Sequence, residues 1–250
     1  MSEWWLIPVF FVIALLYASV GHGGASGYLA ALSFVAVRPD EMATTALTLN
    51  LMVATVAFIS FKRAGHFDGR FAWPFIAASV PAAFLGGVVP VPLHLYTMLL
   101  AVALGVAAIR LAVTLHGRNE DAGVKPNLAL ALPVGGGIGW LSGAVGVGGG
   151  IFLSPVLLLC RWAGPKQTAA ASAAFILVNS AAGLGGRAVR VGLEYATLWP
   201  LLAAALIGGL VGARLGANHF SGTVLKRLLA VVLVVAAVKL LMTAAGAIRT

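Results

Sequence analysis

Gly21-His22-Gly23-Gly24 and Gly146-Val147-Gly148-Gly149-Gly150 each interrupt a long apolar run, and each is followed by a short apolar one. Clustered glycine is costly inside a continuous helix, about 1 kcal/mol per residue relative to Ala. The two breaks therefore predict irregular backbone at membrane depth, occurring twice. Such backbone is tolerated in a bilayer only where it is buried in protein or lines a cavity. Paired glycine-interrupted segments in corresponding halves are also the sequence pointer to a secondary transporter's binding site.

The surrounding composition agrees with a membrane setting. Of 250 residues, 61% are hydrophobic and 9% are charged, whereas a soluble domain carries about 25% charged residues. A transmembrane helix needs about 20 apolar residues, so the length admits about eight to ten segments. The chain reads as an all-α polytopic membrane protein. Its net charge is +9, but the Lys and Arg residues sit singly in short loops. That pattern sets membrane orientation and does not call for a nucleic-acid partner. Cys160 stands alone and excludes an intramolecular disulfide. Met1-Ser2-Glu3-Trp4-Trp5 lacks the basic region of a cleaved signal peptide. It reads as the start of the first helix, with both tryptophans at the interface.

Around the breaks the chain divides into two repeats of about five segments each, 1–115 and 128–250, joined by a polar linker at 116–127. The first repeat has runs from Trp4 to Val20, Ala25 to Val37, Met42 to Phe61, Phe71 to Val89 and Tyr96 to Leu115. The second has runs from Leu128 to Val145, Ile151 to Trp162, Thr168 to Gly186, Tyr195 to Leu215 and Val224 to Ala245. Trp73-Pro74 matches Trp199-Pro200, and Asp68 matches Glu194 at the same offset. The short runs of about 12 residues make roughly 18 Å of helix, too little for a hydrocarbon core of about 30 Å. Each helix and the short helix after it should form a V that enters the membrane and turns at the glycines. Each repeat then crosses an odd number of times, and the second is inverted. This topology gathers Lys62, Arg63, Arg70, Arg118, Lys125, Arg161, Lys166, Arg214, Lys226 and Arg227 on one side. Only Arg38, Arg187, Arg190 and Arg249 fall on the other. The bias puts the larger set in the cytoplasm and both termini outside.

The acidic residues are Glu3, Asp40, Glu41, Asp68, Glu120, Asp121 and Glu194, all at segment ends or in loops. A cation transporter or carboxylate proton relay places Asp or Glu inside the membrane, so their positions oppose a cationic substrate. The short helices begin at the breaks, with their N-termini near mid-membrane. Free N–H groups and the positive dipole end there favour an anion. Gly21, His22, Gly23 and Gly24, with Gly146, Gly148, Gly149 and Gly150, are therefore the candidate substrate-binding residues. Tight helix packing is the alternative use of such glycines. Their doubling at matched positions favours binding.

His22 is suited to donate to an oxyanion or to carry a coupled proton, since its ordinary pKa is about 6.5. A local backbone hydrogen bond is the plainer alternative. Thr44, Thr45 and Ser172 stand near the starts of equivalent helices, and Ser26 lies just past the first break. All four join the candidate set. Thr48, Asn50, Asn179 and Ser180 lie in the same runs, where bridging helices is the commoner role of a polar side chain. Arg187, placed at a helix end, is a candidate electrostatic gate or a snorkelling arginine. Neither an HExxH pattern nor a Cys/His cluster occurs, so no metal or cofactor is expected. No nucleophile–base pair suggests an enzyme.

Gly139-Trp140-Leu141-Ser142-Gly143-Ala144-Val145-Gly146-Val147-Gly148-Gly149-Gly150 followed by Pro155 resembles the sulfite exporter TauE/SafE family of membrane permeases. So do Ser19-Val20-Gly21-His22-Gly23-Gly24, Ala43-Thr44-Thr45 and Gly65-His66-Phe67-Asp68. The resemblance covers nearly the whole chain. The first-half copy departs from the pattern at His22 and at Ala25-Ser26-Gly27, and Ala171-Ser172 replaces a threonine-serine pair. Membership implies transport of sulfite, sulfoacetate or a related organosulfonate across the bacterial inner membrane. The expected partners are a small anion, coupled protons and the lipid bilayer, with the protein a monomer or homodimer. An anion channel and a non-transporting assembly protein are the competing readings.

Overall fold

The structure is a computed structural model that describes residues 3–32, 34–35, 39–89, 126–191, 199–228, 230–232 and 234. The run expected from Tyr96 to Leu115, most of the linker and the far part of the last run lie outside these residues. The described helices are α1 (Leu6–Ser19), α2 (Ala25–Leu32), α3 (Pro39–Arg63), α4 (Gly69–Val88), α5 (Leu128–Val145), α6 (Gly150–Leu159), α7 (Pro165–Val191) and α8 (Trp199–Arg214). α8 continues into a π-helical turn, Leu215–His219. No strand occurs among the described residues. Five helical stretches are long and apolar enough to span a bilayer: Glu41–Arg63, Gly69–Val88, Leu128–Val145, Pro165–Arg190 and Trp199–His219. The protein is an all-α polytopic membrane protein.

Local chemistry sets the helix boundaries. Asp68 caps α4, its carboxylate accepting from the N–H groups of Arg70 at 2.9 Å and Phe71 at 3.3 Å. Asn127 caps α5 by accepting from the Ala129 N–H at 3.0 Å. A side-chain acceptor at this position pairs a backbone donor that the helix itself cannot. α5 stops at Gly146, whose φ of 80° is left-handed and whose N–H donates to the Ser142 carbonyl at 2.9 Å. Gly21 turns the chain after α1 in the same way, with φ 77°. Glycine enters this region without the steric cost that a Cβ imposes.

α2 folds back along α1. Tyr17 and Ser26 share a hydrogen bond at 2.9 Å, Gly27 faces Ile13, and Phe10 stacks on Tyr28 with ring centroids 4.9 Å apart. As the chain advances along α2 it retreats along α1, which is the V expected at the first break.

Carbonyl-to-glycine contacts set the other directions. Gly208, Gly212 and Gly216 press in turn on the carbonyls of Phe11, Leu15 and Ser19, so α8 runs parallel to α1. Gly135, Gly139 and Gly143 press likewise on Phe75, Ser79 and Ala83, so α5 runs parallel to α4. α3 and α7 cross antiparallel at the centre. Phe61 packs with Ala169 and Ala170, while Leu47 lies against Gly183. Missing side chains let these backbones approach closely, and close packing is what holds helices together where lipid offers no hydrophobic contrast.

The loop ends of several helices meet at one end of the bundle. The Ala217 carbonyl, inside the π-helical turn, accepts from His66 Nε2 and Lys166 Nζ, each at 3.1 Å. The ends of α3 and α8 and the start of α7 therefore share a face. Lys62, Arg63, Lys166 and Arg214 belong to it.

Candidate functional site

The two breaks come together on one side chain. Asn50, in the middle of α3 and buried, accepts the Ala25 N–H on Oδ1 at 2.9 Å and donates from Nδ2 to the Val147 carbonyl at 3.0 Å. Ala25 begins α2, and Val147 lies inside the second break. An amide is the side chain able to do both, since it carries a donor and an acceptor. The arrangement needs glycine nearby. A Cβ on Gly23 would strike Asn50 Oδ1, and one on Gly148 would strike Asn50 Nδ2.

Each break also leans on the opposite half. Gly21 packs against the Ala169 backbone of α7, and Gly146 against Ala43 of α3. Gly21, His22, Gly23, Gly24, Gly146, Gly148, Gly149 and Gly150 are all buried. The sequence reading expected the first N–H groups of α2 to face an anion. One of them, that of Ala25, is instead taken by Asn50. A backbone donor at membrane depth costs several kcal/mol if left unpaired.

A second chain of hydrogen bonds crosses between the halves. His22 Nδ1 lies 3.1 Å from the Val20 carbonyl, its Nε2 lies 3.2 Å from Ser154 Oγ, and Ser154 Oγ lies 2.7 Å from Ser172 Oγ. A carbonyl only accepts, so Nδ1 carries a hydrogen. Neutral His22 then accepts at Nε2 from the Ser154 hydroxyl, which in turn accepts from Ser172. A second proton on the ring would make Nε2 a donor as well, with the Ser154 hydroxyl and the Gly150 backbone as its acceptors. Beside Ser154 lies a cavity of ≈ 10 Å³ lined by Val20, Leu158, Pro165, Thr168, Ala169, Leu225 and Lys226. That is room for about one water.

The remaining candidates are distributed around these two networks. Ser26 is held by Tyr17. Thr44 and Thr45 are buried on α3, directly after the Ala43 that backs Gly146. The Thr45 hydroxyl has no hydrogen-bond partner among the described residues, nor do Tyr28 Oη, Ser142 Oγ, Asn179 Oδ1 and Ser180 Oγ. Ser142 and Ser180 stand beside Gly149 and Gly148. Buried polar atoms are normally paired; two of these five, Ser142 Oγ and Ser180 Oγ, lie at the second break, and Tyr28 Oη lies against Gly24 of the first.

Arg187 departs from expectation. α7 continues to Val191, so Arg187 lies within the helix and not at its end. It is 5% exposed, and Nη2 donates to the Ala144 carbonyl in the last turn of α5 at 3.4 Å. The glycines at Gly183 and Gly186 allow this burial by bringing α4 and α5 close.

Ser154 and Asn50 are the residues the sequence reading passed over as site members. Asn50 was visible as a lone amide in the middle of an apolar run, where a polar side chain commonly bridges segments, as it does here. Ser154 carried a weaker signal, one turn into the short helix that Gly150 opens.

The family pattern described as sulfite exporter TauE/SafE matches residues 6–240. A protein of Sinorhizobium fredii (strain NBRC 101917 / NGR234) described as probable membrane transporter protein y4hK is 40% identical over 240 residues, covering 94% of this chain and 97% of its own length. No solved structure matches. A pattern that spans almost the entire chain, together with a full-length relative, establishes that this protein belongs to the sulfite exporter TauE/SafE family of membrane transporters.

Proposed function

We propose that the protein is a secondary transporter of a small sulfur-containing anion (sulfite, sulfoacetate or a related organosulfonate) in the bacterial inner membrane. The observation that carries this reading is the junction of both glycine breaks on Asn50 at the centre of α3. The substrate binds at this junction, among Gly21–Gly24, Gly146–Gly150, Ser26, Thr44, Thr45 and Ser172. Converging N–H and hydroxyl donors suit the oxygens of a sulfite or sulfonate group. Among the described residues no Asp or Glu stands at either break, so no fixed negative charge repels an anion.

The two halves act as inverted repeats, 1–115 and 128–250. The reciprocal packing supports this: α1 with α8 answers α4 with α5, and α3 crosses α7 antiparallel. In the conformation described, the breaks are buried and the space at Ser154 is ≈ 10 Å³. It corresponds to an occluded state, and rocking of one half against the other opens the junction alternately to each side. The grouping of Lys62, Arg63, Lys166 and Arg214 on one face supports an orientation with that face in the cytoplasm and the N-terminus outside. The His22–Ser154–Ser172 chain is the route for a coupled proton.

Labelled sulfite uptake into proteoliposomes tests the reading, with sulfoacetate and other sulfonates next. Saturable flux that rises when unlabelled substrate is loaded inside is the expected result, and it separates a transporter from a channel. Flux at the level of empty liposomes for every sulfur anion would overturn it.

A further inference from the structure

A groove of ≈ 400 Å³ lies between the last two turns of α3 and the end of α8. Val56, Ile59, Leu210 and Val211 form its walls, and Ser60, Arg63 and Arg214 supply its polar atoms. The groove is apart from the glycine junction and plays no part in the transport reading. Ile59, Leu210 and Val211 are each 40–47% exposed, and all lie in stretches apolar enough to span the bilayer. Their exposed surface therefore faces hydrocarbon.

Arg63 is the last residue of α3 and Arg214 the last of α8. α3 and α8 run parallel, because Gly209 packs on Val53 below the groove while Arg63 and Arg214 share it. Both guanidinium groups thus come to the same edge of the bundle. Among the described residues that line the groove, none is acidic. Neighbouring Lys62 is occupied over the Phe58 ring, 5.6 Å from its centroid, and does not line it.

We propose that this groove binds an anionic phospholipid, its phosphodiester held by Arg63 and Arg214 and one acyl chain laid along Val56, Ile59, Leu210 and Val211. Arginine's planar fork matches phosphate oxygens in pairs, and the Ser60 hydroxyl adds a third donor. Basic pockets between membrane helices at the cytoplasmic face are suited to acidic head groups. A free phosphate would use the arginines alone. A phospholipid would also lay a chain on the apolar walls, which a free phosphate would leave to the surrounding hydrocarbon.

The test is native mass spectrometry of the full-length protein in detergent. Phosphatidylglycerol, phosphatidylcholine and the soluble head group glycerophosphoglycerol are titrated separately. Phosphatidylglycerol should be retained at least tenfold more strongly than phosphatidylcholine, and glycerophosphoglycerol should not be retained. Arg63→Gln/Arg214→Gln should abolish that preference, whereas Lys62→Gln should keep it. Arg63→Lys/Arg214→Lys, which preserves both charges, should keep most of it and guards against a folding defect in the glutamine variant. Equal retention of the two lipids would overturn the proposal, as would an undiminished preference in the glutamine double variant. Retention of the head group alone at the lipid's level would make the groove a free-anion site and would also overturn it.

Discussion

Asn50 and Val147 belong to opposite halves of the chain, yet the Asn50 amide donates to the Val147 carbonyl at 3.0 Å while accepting the Ala25 N–H at 2.9 Å. One side chain thus closes two interruptions of the backbone. Asn50→Ala removes both partners and leaves a buried donor and a buried acceptor unpaired, at about 1–3 kcal/mol each. The variant should unfold several degrees lower in detergent and lose most sulfur-anion flux. Asn50→Asp keeps an acceptor for Ala25 but sets a buried negative charge against the Val147 carbonyl, so at neutral pH it should be at least as unstable as Asn50→Ala. Thermal unfolding followed by circular dichroism checks the order, and an Asn50→Ala protein as stable as wild type would remove Asn50 from this role.

The two turning glycines should differ in tolerance. Gly21 and Gly146 both have left-handed φ, so Ala costs each about 1–2 kcal/mol. At Gly21 the new Cβ also collides with the Ala169 backbone, whereas at Gly146 its nearest atom is the Ala43 Cβ at 3.3 Å. Gly21→Ala should therefore abolish folded protein at normal expression temperature, and Gly146→Ala should yield a folded but weakened one. Size-exclusion profiles of the two variants decide it.

His22, Ser154 and Ser172 form a single chain of hydrogen bonds, so their contributions should not add. His22→Ala and Ser154→Ala should each reduce flux driven by an imposed pH gradient, by about tenfold or more if the chain carries the proton. The double variant should then be little worse than either single one, as in any cycle where both changes remove one shared interaction. Additive losses measured in proteoliposomes would mean that the two residues act separately.

Asp68 supplies a contrasting case. Its carboxylate caps α4 in an exposed turn, so Asp68→Ala should cost about 1 kcal/mol of stability. Asp68→Asn should cost less, since its amide oxygen still accepts. Both should transport at wild-type rate once folded protein is equalised, because this acid stands far along the chain from either break. A transport defect in Asp68→Asn at full stability would contradict that assignment.

Much of this architecture was legible before any coordinates. α5 coincides with the apolar run from Leu128 to Val145, and α4 with that from Phe71 to Val89 to within two residues at each end. Long apolar periods and glycine clusters are local properties, and the bilayer leaves the backbone few alternatives to a helix. For the same reason the V at Gly21–Gly24 could be read from the shortness of the run that follows it. Arg187 was misplaced at a helix end because its polarity suggested a boundary. Nothing local announced that Gly183 and Gly186 would let α4 and α5 cover it.

The sequence by itself determined that this is a helical membrane protein with two glycine breaks, no carboxylate in its apolar runs and a TauE/SafE-type pattern, because each of these is written in consecutive residues. Only the tertiary structure decided what the breaks touch. That Asn50 joins them, that Ser154 links His22 to Ser172, and that Arg63 and Arg214 share a groove depend on which helices run side by side. Those pairings are set by backbones meeting where side chains are missing, between residues far apart along the chain, and no local pattern encodes such a meeting.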